Sequence, residues 1–467
     1  MIFLGSLITT VVLVAQRQQF VKKNSSDGKN EEDKFILTPD LTFLPSILTP
    51  GPTLSPSILA ADPTFPPSSD PTTAPTEVFL IWNLLTQHHG FDDGENLGSS
   101  VSISSDGTIV AMGATGNDRG FVRVGRIHDS SWTISEETSD GNFGHSVSLS
   151  SNGKVLAVGA PKYDRAGQDN TGLVRVFELK QNDWEQVGQD IYGEAAGDES
   201  GNSVSLSDDG QIVAIGAYRN QGPDACDDDT GHVRVYSNTN NVWSQLGDDI
   251  DGDCYCYGQF GWSVSLSGDG TIVAIGANQH EDPYDHIGQV RVFQFTDGSW
   301  KQLGQDINGE ERLDQSGSSV SLSTNGFTVA IGAIGNDLDY YNYEEDAGHV
   351  RVYQYVGGSW NKLGQDIDGE ASGDQSGSSV SLSSDGGILA IGAHRNNGAG
   401  HVRVYRYSNY SWSQIGEDID GQDPGDRFGA AVSLSSDGKT VAIGAPFRSI
   451  GFRTNYEGFV GVYHLDD

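Results

Sequence analysis

Basic side chains and cysteine are both scarce in this chain of 467 residues. Lysine and arginine together number 27 against 64 aspartates and glutamates, which gives a formal net charge of -37 at pH 7. Because phosphate binding needs clustered lysine and arginine, this charge excludes a nucleic-acid partner. An acidic surface of this kind fits cation binding, basic partners or solubility in a salty medium.

The three cysteines, Cys226, Cys254 and Cys256, are too few for a disulfide framework and are the wrong set for a zinc site. All three fall within one unit of the repeat described below, in two loops expected on the same face of the fold. A disulfide between Cys226 and one of the other two is therefore a candidate, and it would leave one cysteine free.

Signatures of an enzyme are missing as well. The sequence holds no Gly-x-Ser-x-Gly nucleophile elbow between a strand and a helix, no histidine-rich metal set and no phosphate-binding loop. Several histidines stand in a repeated Gly-His-Val context, which indicates a structural role. We therefore expect a protein that is not an enzyme, with no cofactor required by the repeats.

An apolar run over residues 2–15 opens the chain. It is short for a membrane span and has the right length for the hydrophobic region of a signal peptide. No basic residue precedes the run, whereas Arg17, Lys22 and Lys23 follow it. Residues 1–16 are thus predicted to be a signal peptide or a retained signal-anchor. Either one predicts an extracellular protein, secreted or anchored at the cell surface, with membrane contact only through this segment.

Two segments of unusual composition follow. Residues 17–37 form a polar linker, and residues 38–76 hold ten of the 15 prolines among many serines and threonines. Proline fixes φ and removes hydrogen-bond donors, so residues 38–76 are predicted to be a disordered, semi-rigid stalk. An O-glycosylated stalk and an unmodified linker both fit this composition. Asn24 and Asn409 are candidate N-glycosylation sites.

From residue 77 to residue 467 the chain repeats one pattern of four strand-like runs seven times. The first run reads Ser-Val-Ser-Leu-Ser, the second Val-Ala-Ile-Gly-Ala and the third His-Val-Arg-Val-Tyr, and the fourth begins with tryptophan. An Asp-Gly or Asn-Gly pair between the first two supplies a tight hairpin turn. A period of 46 to 60 residues with four strands predicts a propeller. The repeats open at Gly98, Gly144, Gly201, Gly261, Gly317, Gly377 and Gly429.

The fourth run predicts how the ring closes. The last repeat ends without a tryptophan strand, and residues 81–87, which precede the first repeat, align with residues 359–365. We therefore predict an all-β fold, a seven-bladed β-propeller of four-stranded antiparallel blades, closed by an N-terminal strand that completes the last blade. Closure removes the two sheet edges that an open array would expose.

The pairs Phe143-Gly144 with Gly159-Ala-Pro161, and Phe428-Gly429 with Gly444-Ala-Pro446, resemble FG-GAP repeats. These are the blades of the N-terminal propeller of integrin α subunits and of related surface proteins. The resemblance implies a propeller that serves cell adhesion. Blades of that family often carry a calcium loop rich in aspartate between their first two strands, and here only the aspartate before the glycine remains. Calcium needs six to eight oxygen ligands, so these aspartates are predicted to form turns instead.

The loops between the second and third strands, and those between blades, are long, variable and acidic, and all are expected on one face of the disc. Loops on a rigid scaffold commonly carry binding function. The loops between blades repeat Asp-Ile-x-Gly-Glu/Asp, as at residues 190–194, 249–253, 306–310 and 366–370. A second acid precedes the glycine of the next blade, as at Asp198, Asp314, Asp374 and Asp426. Metal binding by these acids remains open, and so does a structural role, in which they cap turns or pair with the recurrent third-strand arginines; we favour the structural role.

Three departures from the repeat are candidate sites on that face. The acidic loop around residues 224–230 is a candidate calcium or other metal site; its ligands would be Asp224, Asp227, Asp228 and Asp229. An aromatic, acidic loop and a basic loop are candidate ligand contacts; they contribute Asp337, Asp339, Tyr340, Tyr341, Tyr343, Arg448 and Arg453.

The sequence therefore predicts a non-catalytic extracellular recognition or adhesion module that binds a protein or a glycan through its acidic face. Two alternatives stay open. One is a secreted enzyme that acts on polysaccharides, and the other is a structural matrix protein whose acidic faces are bridged by calcium.

Overall fold

A computed structural model describes residues 80–466 except 92–93, 117–119, 128–131, 139–140, 223–228, 254–257, 281–285, 337–345 and 450–455. Seven antiparallel sheets of the predicted kind make up this part of the chain, one for each repeat. The first strands of neighbouring blades contact one another all the way around the ring, including those of the first and seventh blades. The all-β, seven-bladed propeller is therefore confirmed. In the described residues no helix is long and apolar enough to cross a bilayer.

Blades are numbered here from the glycine that opens each repeat, so blade 1 begins at Gly98 and blade 7 at Gly429. The strands of blade 1 are Leu97–Ile103, Ile109–Ala114, Gly120–Arg126 and Trp132–Thr138. Those of blade 2 are Ser146–Leu149, Val155–Ala160, Leu173–Lys180, Asp183–Gln186 and Ile191–Tyr192. Those of blade 3 are Ser203–Leu206, Ile212–Ala217, His232–Thr239, Val242–Gln245 and Ile250–Asp251.

Blades 4 to 7 follow the same plan. Their strands are Ser263–Leu266, Ile272–Ala277, Gln289–Thr296, Ser299–Gln302 and Ile307–Asn308; Ser316–Leu322, Thr328–Ala333, His349–Val356, Ser359–Lys362 and Ile367–Asp368; Ser376–Leu382, Ile388–Ala393, His401–Ser408, Ser411–Gln414 and Ile419–Asp420; and Ala431–Leu434, Thr440–Ala445, Phe459–Asp466 and, from the N-terminal side, Ile81–His89. A short 3-10 helix, Asn396–Gly398, lies in blade 6.

The serines of the first strands join the blades around the central channel. In every blade a serine hydroxyl accepts a hydrogen bond from the backbone N–H of the next blade's first strand, as Ser148 does from Leu206 at 2.9 Å. The chain of bonds closes where Ser433 of blade 7 accepts from the N–H of Ile103 in blade 1 at 3.1 Å. The recurrence of Ser-Val-Ser-Leu thus has a physical cause: serine is small and carries the acceptor that each seam needs.

Small residues in the second strands let the blades approach closely. A Cβ placed on Gly216 would lie 2.1 Å from the carbonyl oxygen of Gly261, which opens the next blade. Gly261 in turn has φ +91, a left-handed conformation that favours glycine. The predicted packing of the second strand between neighbouring blades is therefore confirmed, since Val273 to Ala277 are all buried.

The apolar core of the described residues is divided over the seams. Each cluster joins the two valines of one blade's third strand to the first and second strands of the next blade, and most clusters also include that blade's tryptophan. At the seam of blades 2 and 3, Val174 and Val176 pack with Val213, Ile215 and Trp243. Burying each such side chain contributes about 1.5–3 kcal/mol, so adjacent blades depend on one another for stability.

The ring closes as the sequence predicted. Ile81–His89 pairs antiparallel with the last strand, with Trp82 opposite Leu465 and His89 opposite Phe459. Trp82 is buried in the core between blades 6 and 7. The two ends of the propeller thus share one sheet.

One element departs from the prediction. The Ile-x dipeptides of the Asp-Ile-x-Gly motif are short strands in blades 2 to 6 and were expected to be loop. Ile250 and Asp251, for example, pair with Val233 and His232. The isoleucines are buried, with Ile250 only 4% exposed. The aspartate that precedes each isoleucine is therefore held beside the start of the third strand.

Candidate functional site

A cavity of about 200 Å³ lies where loops from several blades converge. It is lined by Trp262, Ser318, Ile334, Ser378, His394, Arg427, Ala430, Pro446 and Phe447. These residues come both from the loops between blades and from the loops after the second strands, so both sets meet on one face, as predicted. A second cavity lies among the hairpin turns, lined by Asp106, Asn152 and Lys154 among others.

Seven of the nine cavity residues occupy two repeated positions. Trp262, Ser318, Ser378 and Ala430 each follow the glycine that opens a blade. Ile334, His394 and Pro446 each follow the Gly-Ala that ends a second strand. Because these positions stand at the inner ends of the strands, we call this site the channel mouth. This site was not predicted from the sequence, although the residues at these positions differ from repeat to repeat whereas the neighbouring glycines recur.

Aromatic and cationic groups meet at the channel mouth. The Arg427 guanidinium lies 4.4 Å from the centroid of the Phe447 ring. Trp262 packs edge-on against Tyr218, with ring centroids 5.1 Å apart. Burial, together with Arg427 and Arg395, lowers the pKa of His394 to about 4, so its imidazole is neutral at pH 7. The Nδ1 atom of His394 is buried and has no hydrogen-bond partner.

The third-strand arginines pair with acids, as the sequence favoured. In most seams the partner is the acid that ends the Asp-Ile-x-Gly-Glu/Asp motif of the preceding interblade loop. Arg234 lies 3.5 Å from Glu194, and Arg351 lies 2.8 Å from Glu310. Arg175 differs, since it binds Asp190 of its own blade in a bidentate pair at 2.9 and 3.0 Å. The other pairs are Arg123 with Glu95, Arg291 with Asp253, and Arg403 with Glu370.

The second acid of each interblade loop caps a turn. Asp198 is 2% exposed and accepts hydrogen bonds from the N–H groups of Glu194 and Ala195, both at 2.9 Å. Asp314 does the same for Glu310 and Glu311. These buried carboxylates have backbone partners, which fits the predicted turn-capping role.

The aspartates of the Asp-Gly turns also bind locally. Asp385 accepts from the Ser383 hydroxyl at 2.7 Å and from the Gly387 N–H at 2.8 Å. Asp106, Asp209, Asp269 and Asp437 accept from the equivalent serine hydroxyl. The prediction that these residues form turns is confirmed.

Arg448, predicted as a ligand contact, has its partners inside the protein. Its guanidinium lies 4.2 Å from the Phe459 ring centroid and 3.9 Å from Asp426, and it donates to Gln422. The side chain is 12% exposed. Gln422 stands where the other seams have the paired acid, and Gly461 stands where they have the arginine. Arg448 therefore supplies the missing guanidinium at the seam of blades 6 and 7.

Most other predicted site residues lie outside the described residues. These are Asp224, Asp227 and Asp228, the loop residues Asp337, Asp339, Tyr340, Tyr341 and Tyr343, together with Arg453, Asn24 and the three cysteines Cys226, Cys254 and Cys256. Asp229 is described and lies 3.9 Å from Arg219. Asn409 lies in the tight turn after the third strand of blade 6, at an exposed position.

No family model matches the chain, and no curated protein matches its sequence. Solved structures match its fold at low identity. The β-propeller domain of Cps50 (Swd1) from Myceliophteria thermophila is 10% identical, with a TM-score of 0.52, over 82% of this chain and all of that one. The WD40 repeats of RRP9 are 13% identical, with a TM-score of 0.51, over 82% and 100%. Kuenenia stuttgartiensis hydrazine synthase is 12% identical, with a TM-score of 0.50, over 75% and 93%. These likenesses show the propeller fold alone.

Proposed function

We propose that this chain is a non-catalytic recognition module that binds a protein ligand at the channel mouth. The observation that carries the proposal is the grouping of Trp262, His394, Arg427 and Phe447 around one cavity. Tryptophan and arginine are the residues that most often supply binding energy at protein interfaces. The propeller is also a fold that protein-interaction modules use, because it presents variable loops on a rigid ring.

The size of the cavity favours an anchoring side chain over a larger ligand. A pocket for a drug-sized molecule occupies about 300–1,000 Å³, whereas the channel mouth has about 200 Å³. An apolar side chain from a partner fits the space between Trp262 and Ile334. A carboxylate or carbonyl beside that side chain would accept hydrogen bonds from the exposed Arg427.

Location and family form the finer part of the proposal. The signal-like residues 1–16 and the stalk support an extracellular or surface-anchored adhesion protein, and the Phe-Gly and Gly-Ala-Pro motifs support kinship with FG-GAP propellers. The acidic surface supports a partner that is basic outside the anchor and the acceptor that faces Arg427.

The test is selection of binders from a displayed random peptide library with the full chain as bait, run beside a glycan array. We expect peptides that share an apolar anchor next to an acidic residue. Trp262→Ala and Arg427→Ala should abolish their binding without changing the melting temperature. Tyr410→Ala is the matched control, since Tyr410 is 90% exposed in an outer turn away from the cavity. Selection of glycans alone, or cleavage of polysaccharides by the chain, would reject the proposal.

A further inference from the structure

Two seams bring a buried histidine and two carboxylates together. Glu194, His232 and Asp249 meet between blades 2 and 3, and Glu370, His401 and Asp418 meet between blades 5 and 6. In each set the histidine begins a third strand and the aspartate comes from the same blade, while the glutamate comes from the preceding one. One nitrogen or oxygen atom from each residue lies within 4.8 Å of those of the other two.

One oxygen of each aspartate is held by a neighbour, and the other lies toward the imidazole. Gln245 donates to Oδ1 of Asp249 at 2.6 Å, and Oδ2 lies 3.8 Å from Nδ1 of His232. In the second seam Gln414 donates to Oδ1 of Asp418 at 2.6 Å, and Oδ2 lies 3.7 Å from Nδ1 of His401.

The two oxygens of Glu370 are divided in the same way, and Oε1 of Glu194 lies 3.5 Å from Arg234. Arg403 lies 3.6 Å from Oε1 of Glu370, and Oε2 of that glutamate lies 3.9 Å from Nδ1 of His401. Partners that orient the first ligands of an ion in this way are a recurrent feature of metal sites.

The His232 imidazole lacks a hydrogen bond at Nε2 that would explain the arrangement. The His232 side chain is 1% exposed, and its Nε2 has no hydrogen-bond partner. Its Nδ1 stands 3.8 Å from the Asp249 carboxylate, which is too long for a hydrogen bond. A neutral imidazole can offer a lone pair to an ion.

Blade 5 has the same three residue types and supplies an internal control. There Lys362 replaces the glutamine and forms an ion pair with Asp366, while Arg351 holds Glu310 at 2.8 Å. Both carboxylates beside His349 are thus paired with basic side chains of the protein, Lys362 and Arg351. In blades 3 and 6 the arginine contacts are 3.5 and 3.6 Å long, and no lysine stands at the position of Lys362.

We propose that the seams of blades 2 and 3 and of blades 5 and 6 each bind one divalent ion of the zinc class. The ligands are Glu194, His232 and Asp249 in one seam and Glu370, His401 and Asp418 in the other. Zinc accepts imidazole nitrogen and carboxylate oxygen at about 2.0–2.2 Å, so two ligands of one ion lie at most about 4.4 Å apart. The measured distances require only small movements of side chains.

The ligand set distinguishes this ion from calcium. Calcium takes six to eight oxygen ligands, whereas these seams offer one nitrogen and two carboxylates. Glu194 and Glu370 are about half exposed, with side-chain exposures of 49% and 46%, so water can reach the ion and complete its coordination. Because each ion would join residues of two blades, its binding free energy would add to the stability of the ring.

The test is calorimetric titration of the full, chelator-treated chain with Zn²⁺. His232→Gln and His401→Gln should each remove one equivalent of bound zinc, and the double variant should lose two. Glutamine stands at this position in blade 4, as Gln289, so the substitution suits the fold. His349→Gln is the matched control and should remove none. X-ray absorption at the zinc edge should show imidazole nitrogen in the parent chain and less of it in the double variant.

A gain of binding provides the second arm of the test. Lys362→Gln should release the Asp366 carboxylate and add a third equivalent that depends on His349. Should a histidine variant fail to fold, Glu194→Gln and Glu370→Gln change half-exposed positions and should each remove one equivalent. A folded double histidine variant that keeps both equivalents, or a Lys362→Gln variant that gains none, would overturn the proposal.

Discussion

The indole Nε1 of Trp82 donates a hydrogen bond of 3.0 Å to the carbonyl oxygen of Ile415, which lies 333 residues further along the chain. The same hydrogen bond joins neighbouring blades inside the ring, where the tryptophan and its acceptor are only 49 to 57 residues apart. It is made by Trp243 to Val187, Trp300 to Leu246, Trp360 to Leu303 and Trp412 to Leu363. The seam that closes the ring is therefore built like the internal ones.

Trp82→Phe should destabilise the whole ring. The change removes the indole donor and leaves the Ile415 carbonyl unpaired, which costs about 1–3 kcal/mol. The free energy of unfolding from a denaturant titration is the measurement, and Trp412→Phe in an internal seam is the matched control with a similar expected loss. Deletion of residues 77–87 should abolish cooperative unfolding. An unchanged transition after that deletion would refute closure by the N-terminal strand.

Arg448→Ala should lower the free energy of unfolding by about 1–3 kcal/mol, because a buried guanidinium interaction with Gln422 and Asp426 is lost. The third strand offers no arginine here, because Gly461 occupies that position, and a Cβ on Gly461 would lie 2.7 Å from the Tyr463 ring, which would have to shift. Arg406→Ala is the control, because Arg406 is exposed on the same propeller. Equal stability of the two variants would contradict the seam role of Arg448.

Acid should weaken the fold well above the range in which carboxylates titrate. Burial lowers the pKa of His232 and of His394 to about 4, from an ordinary value of 6.5. Below pH 6.5 the unfolded chain binds protons that the folded chain does not, so stability is complete above pH 6.5 and falls as the pH drops toward 4. The midpoint of urea unfolding, measured with a chelator at pH 7, 6 and 5, should decrease. His232→Gln with His394→Gln should flatten that decrease, and parallel curves would count against this cause.

The ring, its closure and its two faces could be predicted because they repeat. Seven copies of the Ser-Val-Ser-Leu and Val-Ala-Ile-Gly-Ala runs reveal the strands by alternation and by small residues, and Trp82 reveals the closing strand by its neighbours. The Ile250 strand was missed because Asp, Asn and Gly surround it and favour turns, whereas tertiary packing of the isoleucine decides its conformation.

The two sites were missed for a different reason. The residues of the channel mouth come from blades 4 to 7, and only the closed ring brings Trp262 near His394 and Phe447. The seam sets also cross blades: Glu194 and His232 meet because the preceding loop crosses the start of the next third strand. No local spacing in the sequence encodes such a contact.

Asp385→Asn should preserve the fold while changing its response to acid. Asn152 and Asn325 already make the equivalent hydrogen bonds in blades 2 and 5, with 3.0 and 2.9 Å from the serine hydroxyl. The Ser383 hydroxyl and the Gly387 N–H lower the pKa of Asp385. A carboxylate whose pKa is lower in the folded state stabilises the fold above its unfolded pKa, and this contribution is lost as the pH falls through the folded pKa.

The parent chain should therefore be more stable than Asp385→Asn at pH 7, and this difference should be smaller at pH 3. Asp385→Ala should be the least stable of the three at both pH values, by about 1 kcal/mol relative to Asp385→Asn, because the Gly387 N–H and the Ser383 hydroxyl lose their acceptor. Denaturant titrations at the two pH values give these differences. If Asp385→Ala matched Asp385→Asn, the side-chain acceptor would have no part in holding the turn.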